Sequence, residues 1–117
     1  MSMSASVNTS MSVLIVDDEP GMRSFLNKAM LKKFAFVETA STIAEAEQLR
    51  SQGHFDVLIV DIRLPDRSGI EWHEALDDTD RQSDIIFMTG YADMDVAIKA
   101  LRAGASDFIM KPFHLEQ

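Results

Sequence analysis

Three observations predict that this chain of 117 residues adopts an α/β fold built on a parallel sheet. The first is a set of continuous apolar runs, Val13 to Val16 (VLIV), Val57 to Val60 (VLIV) and Ile85 to Met88 (IIFM), rich in β-branched residues and too short for helices. Such runs suit strands buried on both faces, because a strand with one solvated face would alternate apolar and polar residues. The second is the order: amphipathic stretches of helical period separate the runs, with no internal repeat and no low-complexity linker. The third is compositional. With 46% hydrophobic and 26% charged residues, a chain of this length holds one packed core and is too short for two ordinary domains.

In chain order, residues 1–11 (MSMSASVNTSM) are small and polar, lack a basic n-region and a long apolar h-region, and read as a loose tail and not as a signal peptide. The domain proper is expected over residues 12–117. Strand one is followed by a helix with the stripe Met22, Phe25, Leu26, Ala29 and Met30, and Pro20 fits its first turn, where a missing N–H is no loss. Phe34 to Thr39 is a weaker second strand, and Ile43, Ala46 and Leu49 mark a shorter helix. After strand three, Trp72, Ala75 and Leu76 mark another. Strand four leads into the stripe Met94, Ala97, Ile98, Leu101 and Ala105, with Gly104 suited to the left-handed position that ends a helix. Asp107 to Met110 is a weak fifth strand. Strict alternation of these elements implies right-handed crossovers and an open, doubly wound sheet with helices on both faces.

Composition also excludes several functions. A formal charge of −8 argues against a nucleic-acid surface, which depends on Lys and Arg neutralising phosphates. No apolar run approaches the roughly 20 residues of a membrane span. The absence of Cys removes disulfides, a thiolate zinc site and a Cys nucleophile, and permits a cytosolic address. His54, His73 and His114 are scattered without metal-ligand spacing and read as structural or solvated. The methionines and Trp72 read as core filler and helix-face packing, and Gly69 and Gly90 as backbone geometry.

In a doubly wound sheet the carboxyl ends of the strands make the site. Strand one ends in Asp17-Asp18-Glu19, strand three at Asp61, strand four at Thr89 and strand five at Lys111-Pro112. Asp17, Asp18 and Asp61 would crowd three carboxylates together, a repulsive arrangement unless protons or a hard cation intervene. Oxygen ligands with open positions suit Mg²⁺, which commonly takes one or two carboxylates plus a phosphate. Lys111 adds a positive charge to the rim and Thr89 a hydroxyl. A metal, a cation and a hydroxyl donor around a carboxylate are what phosphoryl transfer onto that carboxylate requires.

The segments VLIVDDEPGMR, LIVDIRLPDRSGIE, FMTGYAD and DFIMKPF resemble the phosphoacceptor receiver domains of bacterial two-component response regulators, over Ser12 to Phe113. TGYAD followed by DFIMKPF is most similar to receivers of sigma-54-dependent transcription activators of the nitrogen-regulation type. The resemblance implies a flavodoxin-like five-stranded sheet of order 2-1-3-4-5. It implies that Asp61 is the phosphoacceptor, that Asp18 and Asp61 bind Mg²⁺ (or Mn²⁺) directly, that Asp17 acts through a bound water, and that the main-chain carbonyl of Arg63 is a further ligand. Lys111 and Thr89 would contact phosphoryl oxygens. Phe108 would be the aromatic whose rotamer follows Thr89, with the helix-four and strand-five region, Asp93 to Met110, as the face that changes. Arg63 and Tyr91 occupy positions that tune the phosphoryl lifetime, and the Lys111-Pro112 bond would be cis.

The same resemblance implies a sensor histidine kinase as partner, a second copy of the chain as a candidate partner through helix four and strand five, a switch and not a metabolic enzyme, a transcriptional output located in other residues, no direct nucleic-acid or membrane contact, and a cytoplasmic location. Two other classes fit less well. A phosphatase of the haloacid-dehalogenase kind places its nucleophile after strand one, with a second Asp two residues on, whereas here the pair is adjacent. A flavin or nucleotide module wants a phosphate cradle where this chain has Asp-Asp-Glu. The family's fifth helix needs roughly 10 residues beyond Gln117 at 1.5 Å each, so it is expected to be truncated, with part of an apolar sheet face bare, and self-association or reduced stability to follow.

Overall fold

The computed structural model describes residues 8–76 and 83–111. Five strands, β1 (Asn8–Val16), β2 (Phe34–Ala40), β3 (Val57–Asp61), β4 (Asp84–Thr89) and β5 (Asp107–Met110), form one parallel sheet of order β2-β1-β3-β4-β5. Four helices link them: α1 (Pro20–Leu31), α2 (Ile43–Gln52), α3 (Gly69–Ala75) and α4 (Met94–Arg102), the last preceded by a 3₁₀ turn over Tyr91–Asp93. This is the doubly wound, flavodoxin-like order expected. Reversal of winding at β1 and β3 opens a crevice beyond their carboxyl ends.

The apolar runs fold as strands because both sheet faces are covered. Along β1, Val13 and Ile15 join Leu26, Ile59 and Met88 on the α1 face, whereas Leu14 and Val16 join Leu58, Val60, Ile85, Phe87 and Trp72 on the other. That second core draws on Ile43 and Ala46 of α2, Ile70 and Trp72 of α3, and Ala97 and Ala100 of α4. Trp72 is fully buried, its indole N–H donating to Glu47 Oε2 at 2.9 Å. Pro20 opens α1, and Gly104, at φ +118°, follows α4 in a conformation only glycine adopts freely.

Three expectations change. Strand one begins at Asn8, so residues 8–11 belong to the sheet and only 1–7 of the expected tail lie outside the described residues. The early residues are polar, and it is pairing of Asn8 with Phe34 and of Ser12 with Phe36 that makes them strand, with an irregular register between. In α4 the buried face is Ala97 and Ala100, with Ala105 just beyond, while Ile98 and Leu101 stay exposed. Small side chains let this helix approach the sheet closely and rotate its larger apolar residues outward. Phe25 of the α1 stripe is likewise exposed. The expected fifth helix and the Lys111-Pro112 bond lie outside the described residues.

The start of α2 is held from a distant loop. Thr42 accepts from Glu45 N–H at 3.1 Å, and the Asp66 carboxylate accepts from Ile43 N–H at 3.1 Å and Ala44 N–H at 3.0 Å, satisfying amides a helix leaves unpaired. What burial Asp66 has raises its pKa, and the two helix amides outweigh that, holding it below the ordinary value. A depressed folded-state value means the stabilisation is present above the unfolded carboxylate pKa and is lost as pH falls through the folded one. Loss of these two amide contacts in Asp66→Ala should cost about 1 kcal/mol at neutral pH, the size of a helix cap. Urea unfolding of both proteins should show that gap closing on acidification below the usual carboxylate range.

Candidate functional site

The carboxyl ends of β1, β3, β4 and β5 converge on one rim. Asp61 closes β3 in register with Met88, so Thr89 stands one residue further on the adjacent strand, and Lys111 N–H donates to Thr89 O at 2.7 Å. β1 places Asp17 beside them, its N–H donating to Ala40 O at 3.0 Å, and Asp18 follows on the exposed side. One carboxylate oxygen from each of Asp17, Asp18 and Asp61 lies within 4.8 Å of the others.

Lys111 is the hub of this acidic rim. Its Nζ donates to Asp61 Oδ2 at 2.8 Å and to Glu19 Oε1 at 3.2 Å, and it lies 3.0 Å from Asp17 Oδ2. Burial lowers the lysine pKa, and the hydrogen bond to Asp61 together with the negative charges of Asp61 and Asp17 outweighs it, so the ammonium titrates above the ordinary lysine range. For Asp61 the balance runs the other way. Burial is the largest influence and raises its pKa against Lys111 and the Arg63 N–H, which donates to Asp61 Oδ1 at 3.1 Å, with the Asp17 charge adding to the rise.

Asp17 is fully buried, and its Oδ1 accepts from Glu19 N–H at 2.9 Å. The Lys111 contact to Oδ2 is an ion pair without hydrogen-bond geometry, so Oδ2 is a buried oxygen with no hydrogen bond. A buried carboxylate oxygen left that way beside two further carboxylates is what a hard divalent cation would satisfy, so the residues present fit one. Arg23 braces the arrangement from α1, its guanidinium donating to Asp17 O at 2.8 Å.

The loop after Asp61 is tightly clamped. Gly69 N–H donates to Ile62 O at 2.9 Å, Arg63 bridges to Ser68, and Ser68 Oγ caps α3 by accepting from Ile70 N–H at 3.2 Å. A Cβ on Gly69 would lie 2.5 Å from Asp61 O and 2.8 Å from Val60 Cγ1. The glycine thus lets α3 start directly against the backbone of the acidic residue. Gly69→Ala should cost about 1–3 kcal/mol in urea unfolding and displace Asp61, because the opposing atom is main chain and cannot swing away.

Thr89 is buried at the end of β4, its hydroxyl donating to Gly90 O at 3.1 Å. Phe108 is half-buried against the larger core, in register with Phe87. Asp17, Asp18, Asp61, Thr89 and Lys111 are thus gathered on one rim, Arg63 N–H points at Asp61, and the Tyr91 side chain lies outside the described residues. Residues that sequence reasoning left without a role are Glu19, Arg23 and Asp93. The Arg63 guanidinium forms a forked pair with Asp93, Nε to Oδ2 at 2.6 Å and Nη2 to Oδ1 at 3.1 Å, joining the loop after β3 to the start of α4. That pair holds the Asp93 carboxyl below its ordinary pKa.

A 2-1-3-4-5 sheet carrying an acidic rim capped by one lysine is the arrangement that the sequence resemblance implies for a receiver domain. The chain belongs to the response regulator receiver domain family, whose profile matches residues 13–117. Among curated relatives it is 37% identical over 102 residues to the response regulator protein PilR of Pseudomonas aeruginosa, covering 87% of this chain and 23% of PilR. It is 35% identical over 105 residues to the regulatory protein AtoC of Escherichia coli, covering 90% of this chain and 23% of AtoC. The chain therefore spans less than a quarter of either relative. Among solved structures, the beryllofluoride-activated NtrC4 receiver domain dimer superposes with a TM-score of 0.76 at 33% identity, covering 90% of this chain and 87% of that one. Among the described residues no helix is long and apolar enough to cross a membrane.

Proposed function

We propose that this domain is the phosphoacceptor switch of a two-component phosphorelay, with Asp61 taking a phosphoryl group from the phosphohistidine of a sensor histidine kinase. The observation that carries this reading is the Asp61 carboxylate, held by Lys111 at 2.8 Å beside Asp17 and Asp18. An Asp61 oxygen attacks phosphorus, the O–P bond forms as the N–P bond of the donor breaks, and the leaving imidazole nitrogen keeps that electron pair and takes up a proton. Mg²⁺ or Mn²⁺ would be held by Asp18 and Asp61, by Asp17 through water and by the Arg63 carbonyl, and would neutralise charge on the phosphoryl oxygens.

Lys111 orients Asp61 beforehand and then pairs with a phosphoryl oxygen. Thr89 exchanges its Gly90 carbonyl for another phosphoryl oxygen, and Phe108 moves into the space vacated. Phosphorylation adds roughly −1.5 to −2 charge and three acceptor oxygens, enough to bias a two-state element. The α4–β5 face, which exposes Val96, Ile98, Leu101 and Ile109, is the surface that changes and that a second copy would use. The domain acts as a cytoplasmic switch and not as a metabolic enzyme, and it controls an output, transcription, carried by other residues. The likeness to NtrC4, PilR and AtoC supports that output.

Incubation with Mg²⁺ and acetyl phosphate should give a base-labile phosphoryl adduct that Asp61→Asn abolishes. Repeated turnover of phosphomonoesters, or no adduct at all, would refute the reading. Tyr91 stands two residues after Thr89, where a large side chain would slow attack of water on the acyl phosphate, so Tyr91→Ala should shorten the adduct's half-life, and equal half-lives would remove that role.

A further inference from the structure

Asp93 stands at the N-cap position of α4, where an Asp side chain ordinarily accepts from the second or third helical amide. Here it makes no cap. As the last residue of the 3₁₀ turn Tyr91–Asp93, with its N–H donating to Gly90 O at 3.1 Å, it sits at φ −111°, ψ 14°, and not in the extended conformation that Glu19, Thr42 and Ser68 adopt ahead of the other three helices, so a cap would require that turn to change. Both carboxylate oxygens are instead engaged by Arg63, in the forked geometry that makes guanidinium–carboxylate pairs directional. The Asp93 side chain is 16% exposed and that of Arg63 is 72% exposed, so the arginine is the partner free to leave. Beside the pair lies a cleft of about 500 Å³ lined by Ile62, Arg63, Leu64, Ser68, Asp93 and Val96, which leaves the first turn of α4 room to move.

The Asp93 carboxylate cannot both hold Arg63, as seen, and cap the α4 amides of Asp95 and Val96, the role an Asp at this position ordinarily takes. An exposed ion pair and a helix cap are of comparable strength, so a modest local change can decide between them. Arg63 is placed next to the residue where such a change would occur. Its N–H already donates to Asp61, and the Asp61 charge acts on its guanidinium.

We propose that Asp93 is a two-position latch: in the resting domain Arg63 diverts it from α4, and added negative charge at Asp61 draws Arg63 away so that Asp93 caps the helix and resets its first turn. The coupling rests on the phosphoacceptor reading, whereas the exchange of partners stands on the resting geometry alone. It makes a prediction of unusual sign, because removing an ion-pair partner should order a helix end.

The test is amide hydrogen exchange at Asp95 and Val96 in the full chain, by NMR, for wild type, Arg63→Gln, Asp93→Asn and Asp93→Ala, metal-free and with Mg²⁺ plus beryllofluoride. Arg63→Gln should slow exchange at both amides about fivefold in the metal-free state, the size of one cap. Asp93→Asn, which can cap but pairs weakly with a guanidinium, should follow it, and Asp93→Ala should not. Beryllofluoride should produce the same slowing in wild type and none in Asp93→Ala. Unchanged or faster exchange in Arg63→Gln would overturn the latch and reduce the pair to a surface clamp. If wild type shows no spectral response to beryllofluoride, the phosphoacceptor reading and the coupling fall together, and the metal-free comparison still decides whether Asp93 changes partners.

Discussion

Lys111→Met should slow phosphorylation of Asp61 by acetyl phosphate about a hundredfold and make folding strongly dependent on Mg²⁺. The first effect follows from loss of the one ammonium, among the described residues, that touches Asp61, since a preorganised donor aimed at developing charge contributes on the order of 10²–10³ in rate. The second follows from what remains. Asp17 is fully buried and Asp61 nearly so, and both contact the same Nζ. Removing one member of a buried ion cluster leaves uncompensated charge, at about 3–5 kcal/mol. A divalent cation binding the same carboxylates would restore much of that, because it binds the folded state alone. Urea unfolding with and without Mg²⁺ should therefore show a larger metal-induced gain in the variant than in wild type. Equal gains would mean that Lys111 does not neutralise the acidic rim.

Asp17→Asn should move stability and metal affinity in opposite directions. In the metal-free domain Asp17 Oδ2 is a buried carboxylate oxygen without a hydrogen bond, close to Asp18 and Asp61. Replacing the charge by an amide of the same shape leaves Lys111 paired with Asp61 and Glu19 and relieves the excess of carboxylates around that one ammonium, so the metal-free variant should gain about 1 kcal/mol. The Oδ1 contact to Glu19 N–H can survive the change, which keeps the start of α1 in place. Mg²⁺ should bind at least about tenfold more weakly, since the site loses a formal charge from a small oxygen donor set. Calorimetric titration and melting curves measure both effects. A variant that is less stable without metal would show that Asp17 serves the fold and not the site.

The parts of this domain legible in the sequence are those whose cause is local. VLIV at Val13 to Val16 and again at Val57 to Val60 has no polar alternate residue, so a strand covered on both faces is the arrangement that satisfies it, and the acidic residues after those strands fall on the same rim. Pro20 and Gly104 mark a helix start and a helix end by backbone geometry alone. What escaped notice depends on partners distant in the chain. Asn8 is strand because Phe34 pairs with it, and nothing in NTSM announces that. Asp66 caps α2 from 23 residues away, and Arg63 meets Asp93 across 30. Helical period alone assigned Ile98 and Leu101 to the core, yet Ala97 and Ala100 face the sheet, because close approach favours the smaller residues. An i+4 pattern fixes a stripe but not which edge of it a helix presents.

Every role proposed for the rim depends on Asp61 acting as the nucleophile. That chemistry is tested most directly by incubating the domain with Mg²⁺ and acetyl phosphate, reducing the product with borohydride, and mapping the peptides by mass spectrometry. An acyl phosphate at this position is reduced to the alcohol, so homoserine is expected at position 61 and at no other acidic residue, dependent on Mg²⁺. Reduction at Asp17 or Asp18, or an unmodified Asp61 under conditions where the fold is intact, would contradict it.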